Sequence, residues 1–173
     1  FVLGALAATA VTSSPGLPRR ADFSSSSGDL VQIADAKYNY KCMAVHGEAK
    51  EGAKIVVEPC SGGPYQLFHY NEKKGQIRFN FEGDEFCVDA LGGGSFGPGG
   101  DIGLYKCKRG DKNSEWSHTD EQAITLRSKF DGQTLCMNND GKYVRGSTAC
   151  SSESDEGLPW TAQWNFLPPG STP

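Results

Sequence analysis

The sequence predicts an all-β protein, a β-trefoil of three repeats of 45–49 residues, and three observations predict it. The first is a shared period. Cys42, Cys87 and Cys136 lie 45 and 49 residues apart, Cys60, Cys107 and Cys150 lie 47 and 43 apart, and a large aromatic recurs at Phe68, Trp116 and Trp164, 48 and 48 apart. Three independent markers on one period are the signature of a repeated unit. The second is composition: 22 glycines and nine prolines are nearly a fifth of the chain, against roughly 12% in ordinary usage, so long helices are excluded. The third is patterning, with short strand-like alternations broken by turn signals every 8–12 residues and no 3.6-residue apolar stripe.

Residues 1–28 are a different kind of sequence. Phe1 to Ala10 is apolar and uncharged and ends in the small-x-small pattern Ala8-Thr9-Ala10, the form of the end of a secretory signal. A Ser/Pro/Gly-rich stretch follows, with the dibasic pair Arg19-Arg20 and four serines from Ser24 to Ser27, a solvated leader composition. This segment is set apart as a signal-peptide remnant and leader, and the chain is expected to be secreted. The trefoil is assigned to residues 29–168, and residues 169–173 form a C-terminal tail.

Each unit opens with a strand: Leu30-Val31-Gln32-Ile33 in the first, Ile77 to Phe81 in the second, Ile124-Thr125-Leu126 in the third. Turns are expected at Ser61-Gly62-Gly63-Pro64, Glu82-Gly83-Asp84 and Asp131-Gly132. Three units of four short strands close on one another and leave few open edges. The recurrence of Phe68, Trp116 and Trp164 in every unit marks them as core.

Six cysteines without a CxxC pair or a finger-like histidine spacing make a zinc site a poor explanation. An even number in an exported chain implies three disulfides, with fifteen possible connectivities. The repeat selects one: Cys42–Cys60, Cys87–Cys107 and Cys136–Cys150, a staple within each unit. Each short loop restricts the unfolded chain by about 3 kcal/mol.

With 17 lysines and arginines against 21 acidic residues, the net charge is -4, which argues against nucleic-acid binding. No apolar stretch approaches the ~20 residues of a membrane span. No cofactor or metal is expected. His46, His69 and His118 fall at unrelated positions of different units, no HExxH, GxSxG or P-loop pattern occurs, and Gly92, Gly94 and Gly97 match GxGxxG only formally, since Pro98-Gly99-Gly100 forbids the helix a dinucleotide site requires. The chain is read as a non-enzyme.

The phrases Cys42-Met43-Ala44, Cys87-Val88-Asp89 and Cys136-Met137-Asn138, the second cysteine 14–20 residues on, and the closing phrases ending at Phe68, Trp116 and Trp164 together resemble the ricin B-type lectin domain, the QxW-repeat β-trefoil or family-13 carbohydrate-binding module. The resemblance covers nearly all of residues 29–168. It implies a sugar site in which a carboxylate two residues after the first cysteine and an amide near the closing phrase hold hydroxyls. An aromatic two before the second cysteine takes the apolar face of the pyranose. The first repeat offers Ala44, Glu58, Tyr65 and Gln66 at these places, and the third Asn138, Thr148, Thr161 and Ala162. The second keeps Asp89, Tyr105 and Asn113, with Ser114 in place of the usual glutamine. One competent site is therefore expected, in the second repeat: Asp89 and Asn113 at hydroxyls, Tyr105 stacked, Ser114 offering a hydroxyl, and Phe96 in the adjoining glycine-rich loop as a second apolar contact. The implied ligand is a galactose or N-acetylgalactosamine glycan, with xylan-type chains as a family variant. Two competing readings are a secreted trefoil protease inhibitor or protein-binding scaffold whose sugar site has decayed, and the accessory module of a larger hydrolase.

Overall fold

The computed structural model describes residues 28–38, 40–93, 96–150 and 160–171. The leader read from residues 1–28 lies outside them except for Gly28. Twelve strands run through the described residues, four to a repeat. The first repeat contributes β1 (Asp29–Asp35), β2 (Lys41–Val45), β3 (Ile55–Pro59) and β4 (Phe68–Asn71). The second contributes β5 (Gln76–Phe81), β6 (Asp84–Ala90), β7 (Ile102–Lys106) and β8 (Trp116–His118). The third contributes β9 (Ile124–Leu126), β10 (Cys136–Asn139), β11 (Val144–Ser147) and β12 (Trp164–Leu167). The expected opening alternations are β1, β5 and β9, where every second side chain is apolar and turned to the core.

The first and last strands of each repeat form a closed ring. Antiparallel pairs join β1 to β4, β4 to β5, β8 to β9 and β12 back to β1, with Leu30 opposite His69, Tyr70 opposite Ile77, Ser117 opposite Thr125 and Ile33 opposite Phe166. The two remaining seams are narrower: Trp116 N–H donates to the Gly75 carbonyl at 2.6 Å and Trp164 N–H to the Gln122 carbonyl at 2.8 Å. The middle strands form three hairpins, β2–β3, β6–β7 and β10–β11. Single bridges tie the hairpins together, Lys54 to Gly103, Val56 to Tyr143 and Asp101 to Arg145. This is the β-trefoil, and it satisfies strand edges by closure rather than by cover.

The core repeats with the chain. Met43, Val88 and Met137, each directly after the first cysteine of its repeat, are buried, and Phe68, Trp116 and Trp164 have no exposed surface. Each indole also makes one polar contact: Trp116 Nε1–H donates to the Val88 carbonyl at 2.8 Å and Trp164 Nε1–H to the Met137 carbonyl at 3.0 Å. A buried indole needs such an acceptor, and the same acceptor position serves both repeats. Phe68 has no N–H to offer in the first.

The disulfides are Cys42–Cys60, Cys87–Cys107 and Cys136–Cys150, with Cα separations of 4.9, 4.9 and 5.5 Å, the pairing that the repeat selects. Each staples a hairpin, since Cys42 stands opposite Glu58, Cys87 opposite Tyr105 and Cys136 opposite Ser147. In the third repeat the second cysteine follows one residue later relative to the ladder. The residue equivalent to Tyr105 there is Ser147, not Thr148, and neither is aromatic.

Phe96 is the exception to three-fold regularity. Met43 faces Val57 and Val88 faces Leu104, but Met137 faces Gly146. The ring of Phe96, reaching over from the second repeat, takes the volume that Gly146 leaves: a Cβ on Gly146 would lie 2.6 Å from its Cζ, and one on Gly100 2.7 Å from its Cδ2. The loop around it docks on β11, with Gly99 N–H donating to the Gly146 carbonyl at 2.8 Å and Gly146 N–H to the Gly100 carbonyl at 2.9 Å.

Candidate functional site

The face carried by β6 and β7 in the second repeat brings together two of the expected site residues, Asp89 and Tyr105. Asp89 stands opposite Gly103, and Cys87 opposite Tyr105. Side chains two apart on a strand share a face, so Asp89 and Tyr105 are diagonal neighbours on the same side of the hairpin. Gly103 has to be glycine: the first repeat's Ala53 lies across it, and a Cβ there would be 2.5 Å from the Ala53 carbonyl oxygen. Leu104 N–H donates to that same carbonyl at 2.8 Å, so β7 is held from both sides.

Asn113 arrives on a 3-10 turn, Lys112–Ser114, which packs against β6. The turn is capped by Asp111, whose carboxylate accepts from the Asn113 N–H at 3.2 Å. Asn113 Nδ2 lies beside Gly93, 3.9 Å from where a Cβ would stand. Its side chain faces a hollow of about 530 Å³ shared with Lys129, Phe130 and Asp131, which neither Asp89 nor Tyr105 lines. Asp89 and Tyr105 thus share a hairpin face, and Asn113 approaches on the adjoining turn.

Two expected contacts are corrected. Ser114 is 1% exposed and its hydroxyl donates to the Asp111 carbonyl at 3.1 Å, closing the 3-10 turn; it has no hydroxyl to offer a ligand. Phe96 is 3% exposed and belongs to the core, filling the gap at Gly146, so it is no apolar wall for a sugar. Residues 94 and 95 of the same loop lie outside the described residues.

Asp89 is the unusual group. It is 5% exposed, yet its carboxylate has no hydrogen-bond or ion-pair partner among the described residues. Burial, reinforced by the nearby negative charge of Asp111 and partly offset by Lys108, pushes its pKa up to about 7. Such a carboxylate is costly to keep for structure alone, and a pKa raised by burial is a mark of a functional position.

Lys108 and Asp111 are the residues that sequence reasoning missed. Lys108 Nζ lies 4.7 Å from the centroid of the Tyr105 ring, a cation over an aromatic face. Its sequence signal is slight, a basic residue directly after Cys107. Asp111 had a clearer one, an Asp two residues before Asn113 in a turn-forming Gly-Asp-Lys-Asn stretch.

The other repeats lack this set at the same register. In the first, Ala44 faces Val56, and the ring of Tyr65 packs on Phe81 with centroids 5.1 Å apart. In the third, Asn138 faces Arg145, whose guanidinium is held by Asp101 and Asp140 at 2.6 Å each.

A closed twelve-strand trefoil with one stapled hairpin per repeat is the architecture of the β-trefoil lectins. The chain belongs to the ricin-type β-trefoil lectin domain family, whose model matches residues 29–165. Among curated proteins, none matches it by sequence. Solved structures share the fold at low identity. The β-trefoil lectin of the Vibrio vulnificus hemolysin/cytolysin, solved with N-acetyl-D-lactosamine bound, is 16% identical with a TM-score of 0.64, covering 86% of this chain and 100% of that one. The C-terminal half of an earthworm R-type lectin in complex with GalNAc is 15% identical, TM-score 0.57, over 80% and 98%. ThreeFoil, a designed three-fold symmetric protein, is 16% identical, TM-score 0.59, over 80% and 97%.

Proposed function

We propose that the protein is a secreted, non-catalytic lectin that binds galactose- or N-acetylgalactosamine-type glycans at one site, in the second repeat. The observation that carries this reading is Asp89: a nearly buried carboxylate without a partner among the described residues, on the same hairpin face as Tyr105. A sugar hydroxyl pair would supply the hydrogen bonds that Asp89 lacks, and Tyr105 would take the apolar face of the ring. Asn113, whose side chain faces the neighbouring hollow, would reach a hydroxyl of a ligand that extends there. Three disulfides support an oxidising compartment.

A single shallow site of this kind binds at roughly 0.1–1 mM, about -4 to -5.5 kcal/mol. Useful retention then depends on a polymeric or clustered glycan. The test is a glycan array probed with the oxidised protein and with Asp89→Ala. Galactosyl signals lost in the variant are expected. Signals that survive would move the site elsewhere, and a blank array would favour the protein-binding scaffold.

A further inference from the structure

Beside the Asp89–Tyr105 face lies an open cleft of about 630 Å³, reached through Cys107 and Lys108. Six of the chain's 17 lysines and arginines line it, Lys73, Lys74, Arg78, Lys108, Arg109 and Arg127, against the two carboxylates of Glu85 and Glu115. The chain as a whole is acidic at -4, so positive charge is concentrated here. Two of the six cations are engaged in hydrogen bonds or ion pairs. Arg78 grips both oxygens of Glu85 at 3.0 and 3.1 Å, and Arg127 donates to the carbonyls of Glu72 and Lys73 at 2.6 and 3.3 Å. Lys73, Lys74, Lys108 and Arg109 are exposed and form no ion pair among the described residues.

The three-fold symmetry provides an internal control. Thr125 stands opposite Cys136 as Arg78 stands opposite Cys87, so the third repeat has a cleft at the same place. That cleft, about 540 Å³, is lined among the described residues by threonines, with Gln133, Glu121 and Cys150, and by no lysine or arginine. The charge gathers around the second repeat, the one that keeps Asp89 and Tyr105: Arg78, Lys108 and Arg109 lie within it, Lys73 and Lys74 in the turn that leads into it, and Arg127 just after β9 of the third.

We propose that this cleft binds an anionic group, a sulfate ester or a carboxylate, on the same glycan whose neutral ring sits at Asp89 and Tyr105. The proposal rests on the galactosyl reading and extends it to acidic glycans. Lys108 links the two places: it lines the cleft, and its Nζ lies over the Tyr105 ring. An anion in the cleft would draw Lys108 toward itself and bare that ring for stacking. A long polyphosphate is disfavoured by the net negative charge of the chain.

The experiment compares binding of neutral, O-sulfated and sialylated galactosyl glycans, and of a duplex DNA oligonucleotide, to the full chain, to K73A/K74A/R109A and to Asp89→Ala. The parent is expected to prefer at least one acidic glycan by about tenfold at 50 mM NaCl, with the margin shrinking at 300 mM as charges are screened. The triple variant should bind the neutral glycan as the parent does and lose the margin; which acidic form responds separates sulfate from carboxylate. Equal binding of acidic and neutral glycans, or a margin that survives in the triple variant, overturns the proposal. DNA bound as tightly as the acidic glycans, and released by the same substitutions, overturns it in favour of polyphosphate. Neutral glycans unbound, with a sulfated glycan still held and lost in the triple variant, keeps the cleft and removes the galactosyl site instead.

Discussion

The indole of Trp116 is hydrogen-bonded to the carbonyl of Val88, the residue directly before Asp89, at 2.8 Å. The largest side chain of the second-repeat core is thereby fastened to the strand that presents the candidate carboxylate. Binding geometry and core packing meet at one peptide group. The corresponding bond in the third repeat, Trp164 to Met137, serves a position where Asn138 replaces the carboxylate.

Trp116→Phe tests that coupling. The first repeat already carries Phe68 at this place, so the fold tolerates the ring without its N–H. Leaving the Val88 carbonyl without its donor is expected to cost about 1–3 kcal/mol in urea unfolding. Trp164→Phe should cost a similar amount. Only Trp116→Phe should also weaken glycan binding in titration calorimetry.

Asp89 predicts an unusual pH dependence. Its folded pKa of about 7 lies above the ordinary aspartate value of 3.8, so the unfolded chain ionises first and ionisation opposes folding. The unfavourable contribution is absent below about pH 3.8, grows as pH rises, and levels off above about pH 7. Asp89→Asn should therefore stabilise the protein, and the gain should increase by about 2–3 kcal/mol from pH 5 to pH 8. Thermal unfolding of parent and variant at the two pH values checks it.

Glycan affinity should follow the opposite course. The ionised carboxylate is the stronger acceptor for hydroxyl donors, so binding by the parent should strengthen from pH 6 to pH 8, about the pKa near 7. Asp89→Asn should bind weakly and show no such rise. A flat parent profile would separate Asp89 from the ligand.

Tyr105 divides into ring and hydroxyl. Tyr105→Phe keeps the stacking surface and should retain binding within about threefold, whereas Tyr105→Ala should reduce it by tenfold or more, as expected for loss of roughly 1.4 kcal/mol or more of face contact. Tyr105 is partly exposed on β7, so both variants should fold. Isothermal titration with one galactosyl oligosaccharide distinguishes them.

Phe96→Ala should behave as a core lesion. Removing the ring leaves Gly146 and Gly100 facing a void, and such truncations cost about 3–5 kcal/mol. Phe96→Leu should cost markedly less. Denaturant unfolding gives both values.

These residues also show what the chain discloses by itself. The period of the cysteines and of Phe68, Trp116 and Trp164 conveys the trefoil, the hairpin staples and the core, because every repeat has to solve the same closure problem. The diagonal of Asp89 and Tyr105 follows from the ladder that Cys87 anchors. Phe96 was illegible for the converse reason: its partner is the absence of a side chain at Gly146, fifty residues away and in another repeat. Ser114 looked like a polar donor, but its role is local turn closure. The cationic cleft could not be seen either, since Lys73, Lys108 and Arg127 are distant in sequence and only the β5–β8 seam gathers them.

The pairing of β1 with β12 makes the order of the repeats a matter of bookkeeping rather than of architecture. At the other two corners the paired strands are joined by short turns, residues 72–75 and 119–123. At the third, Gln32 to Asp35 meet Leu167 to Trp164 with no covalent link between them. A circular permutant could therefore join Leu167 to Asp29 through a short linker and open the chain in the 119–123 turn. It would read the ring from a new starting point and carry the whole second repeat, with Asp89, Tyr105 and five of the six cleft cations, as one uncut stretch at the end of the new sequence.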